Sequence, residues 1–302
     1  VLHVEHHGPT GSTSWPADPV VLLHGFTQSG AAWAPVVAAL TAGTGPDGTT
    51  DTGPDDTRPD DTRPDGDPGL GGAGPHAVLT VDAPGHGRSS GISADLLATA
   101  DLIVEAAGPG TYAGYSMGAR MALHVAVAHP DAVRRLVVVS GTGGMDDPEE
   151  REDRRRSDEE VARRVERDGV PAFLRWWLDR PIFATLPVAA AALDSRRDNT
   201  AAGLAASLRM AGTGTQEPLW ERLGAIDVPT LVVAGALDAA YVARAERLVD
   251  SIGPNAALAV IPDAGHTCHL EQPAAFNAVL SAWLDHPGGK PEVMPGAEDP
   301  KS

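Results

Sequence analysis

The sequence holds a single cysteine, Cys268. That excludes an internal disulfide and leaves no thiolate cluster for a structural metal. It also lacks any apolar run long enough to span a bilayer. With 302 residues and 42% hydrophobic content, it reads as a globular chain able to bury a sizeable core. Between Val1 and Pro19 there is no basic end followed by an apolar block, so no signal peptide is expected and the expected setting is cytoplasmic. Positive charge is scarce as well: 23 Lys and Arg stand against 41 Asp and Glu, a formal net charge of −18. So acidic a chain is a poor partner for nucleic acid or an anionic membrane, but an anionic small molecule needs only a local cluster of cations.

The charge is unevenly spread. Eight Asp and two Arg fall between Thr44 and His76, where Asp-Asp-Thr-Arg-Pro occurs twice in succession amid Gly and Pro. A stretch of that composition buries almost nothing, so 44–76 is expected to be a mobile, dispensable insertion. The tail 286–302 is expected to be flexible for the same reason.

Elsewhere short apolar runs alternate with segments of helical spacing. The runs Val20–Leu23, Ala77–Val81, Leu136–Ser140, Thr230–Ala234 and Leu258–Ile261 read as strands. Ala31–Leu40, Leu96–Ala107, Ala119–His129, Arg244–Ser251 and Pro273–Leu284 read as helices. Continuous apolar strands alternating with helices predict an α/β fold around a mostly parallel sheet. The rhythm breaks over 141–223, where a densely charged stretch, an aromatic cluster at Phe173–Trp177 and helices at Ala189–Leu193 and Leu204–Met210 suggest a helical cap over the strand ends. The core is thereby divided into 1–140 and 224–285.

Gly114-Tyr115-Ser116-Met117-Gly118 fits Gly-x-Ser-x-Gly between a short strand and a helix, the context of a nucleophile elbow. Small residues permit a turn tight enough to leave the serine hydroxyl free at a helix N-terminus. Alone the pattern is weak, since a bland turn could carry it. Order strengthens it: Asp238 follows the strand Thr230–Ala234, and His266 follows the strand Leu258–Ile261. Serine, then acid, then histidine is the chain order of the α/β-hydrolase fold. Ser116, Asp238 and His266 are therefore the expected catalytic residues, with Asp263 as a substitute acid. A surface or satisfied role for one histidine among eleven is the bland alternative for His266.

His24-Gly25-Phe26 directly follows the first strand, so the Phe26 and Met117 amides are the expected oxyanion donors. His24 is a candidate to meet substrate or merely to shape the turn. Asp82-Ala83-Pro84-Gly85-His86-Gly87-Arg88-Ser89 reads mainly as scaffold, with His86 and Arg88 as lesser site candidates.

The His-Gly-Phe start, the Asp-x-Pro-Gly-His-Gly-x-Ser turn and the elbow resemble α/β-hydrolases over most of Val20–Leu284. Ser116 followed by Arg120, Trp177-x-x-x-Pro181-x-Phe183, Arg196-x-x-Asn199 and Gly212-Thr213-Gly214-Thr215-Gln216 ahead of Leu219-Trp220 look more specifically like 2-succinyl-6-hydroxy-2,4-cyclohexadiene-1-carboxylate synthases of menaquinone biosynthesis. The resemblance implies a lyase that eliminates pyruvate from a cyclohexene bearing several carboxylates, with no metal or organic cofactor. Ser116, made basic by His266, would take a ring proton while the oxyanion donors hold developing charge.

Arg120, one helical turn past Ser116, is expected near it and suited to a bidentate carboxylate grip. Arg154 and Arg196 correspond in the resemblance to carboxylate-binding cap arginines, with Arg155, Arg156 and Arg197 nearby and the register open by a residue. The bland reading of Arg151–Arg156 is a solvated helix face paired with acidic neighbours. Tyr115 and Trp177 would pack around the ring. Two other readings stay open at this point: a carboxylesterase or carbon–carbon bond hydrolase with the same triad, and a noncatalytic ligand binder of the same fold.

Overall fold

The computed structural model describes residues 1–8, 18–42, 75–191 and 193–286. The segment 44–74 and the tail 287–302, on which the expectations of mobility fall, lie outside the described residues. Among the described residues seven strands form one sheet: β1 Val4–His7, β2 Val20–Leu23, β3 Val78–Val81, β4 Gly110–Tyr115, β5 Val133–Val139, β6 Thr230–Gly235 and β7 Ala256–Ile261. Their order is β1-β3-β2-β4-β5-β6-β7, with only β1 antiparallel to its neighbour. Every residue of β2, β3, β4 and β6 is buried, as a sheet covered on both faces requires.

The helices are α1 Ala34–Ala42, α2 Leu96–Ala107, α3 Met117–Ala128, α4 Pro148–Asp168, α5 Val170–Leu178, α6 Leu193–Arg197, α7 Ala201–Ala211, α8 Ala239–Ile252, α9 Cys268–Glu271 and α10 Pro273–Asp285. The helices α2, α3 and α8 pack one face of the sheet through Ile103, Met121 and Leu248. On the other face α1 and α10 bury Val36, Phe276 and Trp283, beside Trp33. Between β5 and β6 the chain leaves the sheet for α4–α7, which enclose a third cluster around Phe173, Val165 and Leu204. Here sequence periodicity was misplaced by a few residues: Val188–Ala191 is a 3₁₀ turn and the helix begins at Leu193. Helix α4 shows how so charged a sequence stays helical. Asp147 caps its first turn by accepting from the Glu149 N–H, Pro148 opens it, and Gly169 with φ 73° ends it. Only Asp158, Val161, Ala162 and Val165 of this helix are buried.

From β2 the chain crosses to β3 on one side and then returns to β4 on the other. The carboxyl ends of β2 and β4 thus flank the point where strand order reverses, the place where open α/β sheets leave a crevice. His24 follows one of these ends and Ser116 the other.

Candidate active site

Ser116 sits at φ 53°, ψ −104°, between β4 and α3. So tight a turn depends on its glycines. A Cβ on Gly114 would lie 2.2 Å from the Gly118 carbonyl oxygen, and one on Gly118 would lie 2.1 Å from that of Leu23. The Ser116 Oγ lies 3.0 Å from His266 Nε2, and His266 Nδ1 lies 3.0 Å from Asp238 Oδ2. Asp238 accepts at Nδ1, which leaves Nε2 of the neutral ring as an acceptor for the serine proton. Burial would raise the Asp238 carboxyl pKa. Its bond to His266, the charge of that ring, the Tyr241 N–H and Arg244 outweigh burial and hold it below the ordinary value. Asp263 is exposed and makes no contact with the ring.

The His266 loop is held from both sides by Glu271, a residue with no signature in the sequence. Its carboxylate accepts from Gly265 N–H at 2.6 Å, Thr267 N–H at 2.9 Å and Thr267 Oγ1 at 2.6 Å. Ser140 adds a bond to the His266 carbonyl at 2.8 Å.

Opposite the serine, the loop after β2 turns at Thr27, which has φ 67°. Among the described residues, the N–H groups of Phe26 and Met117 find no acceptor in the protein. Both are therefore available to an incoming anion.

His24 is a correction to the expected substrate contacts. Its ring is fully buried, accepts from Ala83 N–H at 3.0 Å and donates to the Gly25 carbonyl at 2.8 Å, so it ties the β2 and β3 loops together and does not line the cavity. His86 plays a similar part, accepting from Thr27 N–H and donating to the Pro84 carbonyl. Arg88 lies exposed beside His3 and Glu5. Asn199 joins the loops from the cap, accepting from Gly87 N–H and donating to the Thr27 carbonyl, both at 2.8 Å.

A cavity of about 250 Å³ opens above Ser116 and His266. Tyr115 and Trp177 line it, as do Arg120, Arg154 and Arg196, whereas Arg155, Arg156 and Arg197 do not. These three turn to exposed acidic partners at Glu152, Asp153 and Asp194. Arg180 also lines the cavity, a cation that the sequence patterns did not single out. Burial lowers the Arg196 and Arg120 pKa values to about 10, with Arg154 adding to the effect on Arg120, so both guanidinium groups stay charged at neutral pH. Burial also holds the Tyr115 phenol well above its usual value, keeping it a donor.

Arg120 stands in the cavity wall near Ser116 as expected, and only its free bidentate fork differs from the structure. Its fork is not held out for a carboxylate: Nη2 donates to the Ala211 carbonyl at 2.9 Å and Nη1 to that of Gly212 at 3.2 Å, at the C-terminal end of α7. Its charge faces the cavity while its geometry fastens α3 to the cap. Arg154 donates Nε to Asp158 at 2.8 Å, which keeps Nη1 and Nη2 for other acceptors. Burial pushes the Cys268 thiol up to about 12, which removes the one cysteine as a nucleophile.

Residues 20–279 match the Alpha/beta hydrolase family model, and the chain belongs to that family. A Serratia proteamaculans (strain 568) protein named 2-succinyl-6-hydroxy-2,4-cyclohexadiene-1-carboxylate synthase is 32% identical over 70% of this chain and 84% of its own length. A Bacillus subtilis (strain 168) protein, provisionally given the same name, is 37% identical over 57% of this chain; the match spans 64% of that relative. The structure of MenH from S. aureus superposes with a TM-score of 0.75 and 26% identity, covering 93% of this chain and 97% of that one. Within the hydrolase fold, the chain belongs to the 2-succinyl-6-hydroxy-2,4-cyclohexadiene-1-carboxylate synthase family.

Proposed function

We propose that this protein eliminates pyruvate from 2-succinyl-5-enolpyruvyl-6-hydroxy-3-cyclohexene-1-carboxylate in menaquinone biosynthesis, with Ser116, His266 and Asp238 as its catalytic residues. The observation that carries the reading is the cavity. In a protein of net charge −18, the space above the serine is lined by Arg120, Arg154, Arg180 and Arg196. Asp158 is the carboxylate beside them, and Arg154 already engages it. A polyanion is what such a wall selects, and neither nucleic acid nor a membrane is needed as partner. Among the described residues no helix is long and apolar enough to cross a membrane, and a cytoplasmic setting is part of the same proposal.

The chemistry follows from the hydrogen-bond chain. His266 Nε2 takes the Ser116 proton as the serine oxygen removes a proton from the ring carbon; Asp238 holds the imidazole in the needed tautomer and stabilises its cation. The electron pair of the broken C–H bond moves through the ring, and the carbon–oxygen bond to the enolpyruvyl group breaks. Enolpyruvate departs, takes up a proton and becomes pyruvate. Charge accumulates on substrate oxygens, where the Phe26 and Met117 amides can meet it. Serine is never acylated and water is not consumed.

A hydrolase would instead pass through an acyl-enzyme and place solvent oxygen in its product. Turnover of the enolpyruvyl substrate in ¹⁸O-labelled water tests the difference. The expected result is pyruvate and cyclohexadiene in equal amounts, with no label fixed in the cyclohexadiene during catalysis. Label in that product, or rapid turnover of simple esters with no pyruvate, would overturn the assignment.

A further inference from the structure

Gln28 was not singled out by any sequence pattern, yet its side chain is 1% exposed and lines the cavity above Ser116. It closes the loop after β2 in both directions. Its backbone N–H donates to the Gly25 carbonyl at 3.1 Å, and its side-chain Oε1 accepts from Gly25 N–H at 2.8 Å. The second bond fixes which way the carboxamide faces, because a flipped amide would set two donors against each other. Nε2 is therefore the group left over, and it is buried with no partner in the protein. A buried amide donor left unpaired is costly, because nothing in the protein replaces the water it gave up. An amide so placed in a cavity wall is accounted for if a ligand supplies the acceptor.

The chemistry of that acceptor is set by what stands nearby. Arg196 reaches the same loop, donating Nη1 to Thr27 Oγ1 and Nε to the Ala191 carbonyl, which leaves Nη2 and the second Nη1 N–H as donors. With Oε1 already engaged, Gln28 offers this region only N–H groups. Tyr115, whose ring packs against Gly25, keeps its proton. A wall made of donors and cations fits an acceptor-only group, a carboxylate, better than a hydroxyl or an amide.

We propose that Gln28 is a substrate-binding residue that donates Nε2–H to a carboxylate oxygen of the substrate, beside Nη2 of Arg196. The assignment rests on the pyruvate-eliminating reading for the identity of the substrate. It makes Gln28 a specificity residue as well as the brace of the oxyanion loop.

The two roles separate in Gln28→Glu. One carboxylate oxygen keeps the bond to Gly25 N–H, while the other replaces a donor with a repelling acceptor. The expected outcome is a KM raised by about tenfold to a hundredfold, the range for losing a charged hydrogen bond, with kcat within about threefold of wild type. In Gln28→Met, which has no hydrogen-bond donor but similar length, KM should rise by about tenfold. Calorimetric binding of the cyclohexadiene product to each folded variant should weaken in parallel.

Folded variants that keep the wild-type KM and product affinity overturn the role of Gln28 and leave the reaction standing. A wild type that binds product but releases no pyruvate overturns the reaction, and the product affinities of the variants still decide Gln28. A wild type that does neither overturns both.

Discussion

Lowering the pH from 7.5 to 5.5 should destabilise the fold steeply, because its buried imidazoles cannot take up protons. Burial drives the His86 and His269 pKa values down to about 3 and that of His124 to about 4, against an ordinary value of 6.5. At pH 5.5 the unfolded chain protonates all three and the folded chain almost none. Each therefore withdraws about 1.4 kcal/mol, or about 4 kcal/mol together, from a total that is usually about 5–15 kcal/mol. His24 shifts in the same direction, again chiefly through burial, and adds to the loss. The sign is that of depressed bases: stability is whole above 6.5 and falls as pH drops toward the folded values. Asp238 and Glu271 are depressed acids, whose contribution is present above the unfolded carboxylate range and is lost only below it. The chosen window therefore isolates the histidines. Urea unfolding at the two pH values measures the difference, and His269→Phe supplies the control. His269 is fully buried, both its ring nitrogens lack partners, and it packs 4.6 Å from Trp33 and 4.4 Å from Tyr115. Phenylalanine should fill that slot, and the pH-dependent loss should shrink by about 1.4 kcal/mol. An unfolding free energy that stays level between pH 7.5 and 5.5, or an identical drop in the variant, would refute the reasoning.

Arg120→Lys should lose both carbonyl bonds at the end of α7, costing about 2 kcal/mol in thermal or urea unfolding and roughly tenfold in kcat/KM; a variant with wild-type stability would show that α7 does not depend on this anchor. For Gly118→Ala, helix propensity alone promises a gain of about 1 kcal/mol. The Leu23 carbonyl oxygen 2.1 Å from the new Cβ should reverse that sign and cost more than about 2 kcal/mol, so a stabilised variant by calorimetry would count against the close approach of α3 and β2. Glu271→Ala leaves the Gly265 and Thr267 donors unpaired, and kcat should fall by at least about tenfold with little change in KM, since the His266 loop loses its clamp. Unchanged kcat in a folded variant would mean that the loop keeps its shape without Glu271.

The sheet was legible in the sequence wherever strands are buried on both faces, because Val20–Leu23 and the Leu231–Ala234 stretch of β6 are unbroken apolar runs. β1, Val-Glu-His-His at the sheet edge, carries no such run, and β4 is diluted by Gly110 and Gly114; neither stood out from periodicity. Ser116, His266 and Asp238, which the structure joins in one hydrogen-bond chain, could be picked out because a tight turn demands glycines at fixed offsets from Ser116, and because chain order ranks the acid and the histidine. Gln28 and Glu271 act by bonding backbone amides, which leaves no pattern in residue spacing. The expected substrate contact of His24 and the free fork of Arg120 differ from the structure for a related reason. Spacing brings a side chain near a site but does not say whether backbone carbonyls will engage it first.

The arginine-lined cavity also bears on how substrate arrives. At a distance a polyanion meets a body of charge −18 and is repelled; only within the mouth do Arg154, Arg180 and Arg196 prevail. Salt at 0.15 M confines electrostatic influence to about 8 Å, which hides the repelling surface while leaving the buried Arg120 and Arg196 largely effective. Encounter should therefore quicken on going from dilute buffer to physiological ionic strength and level off afterwards. That is the reverse of the salt response of an enzyme whose whole surface steers its substrate inward.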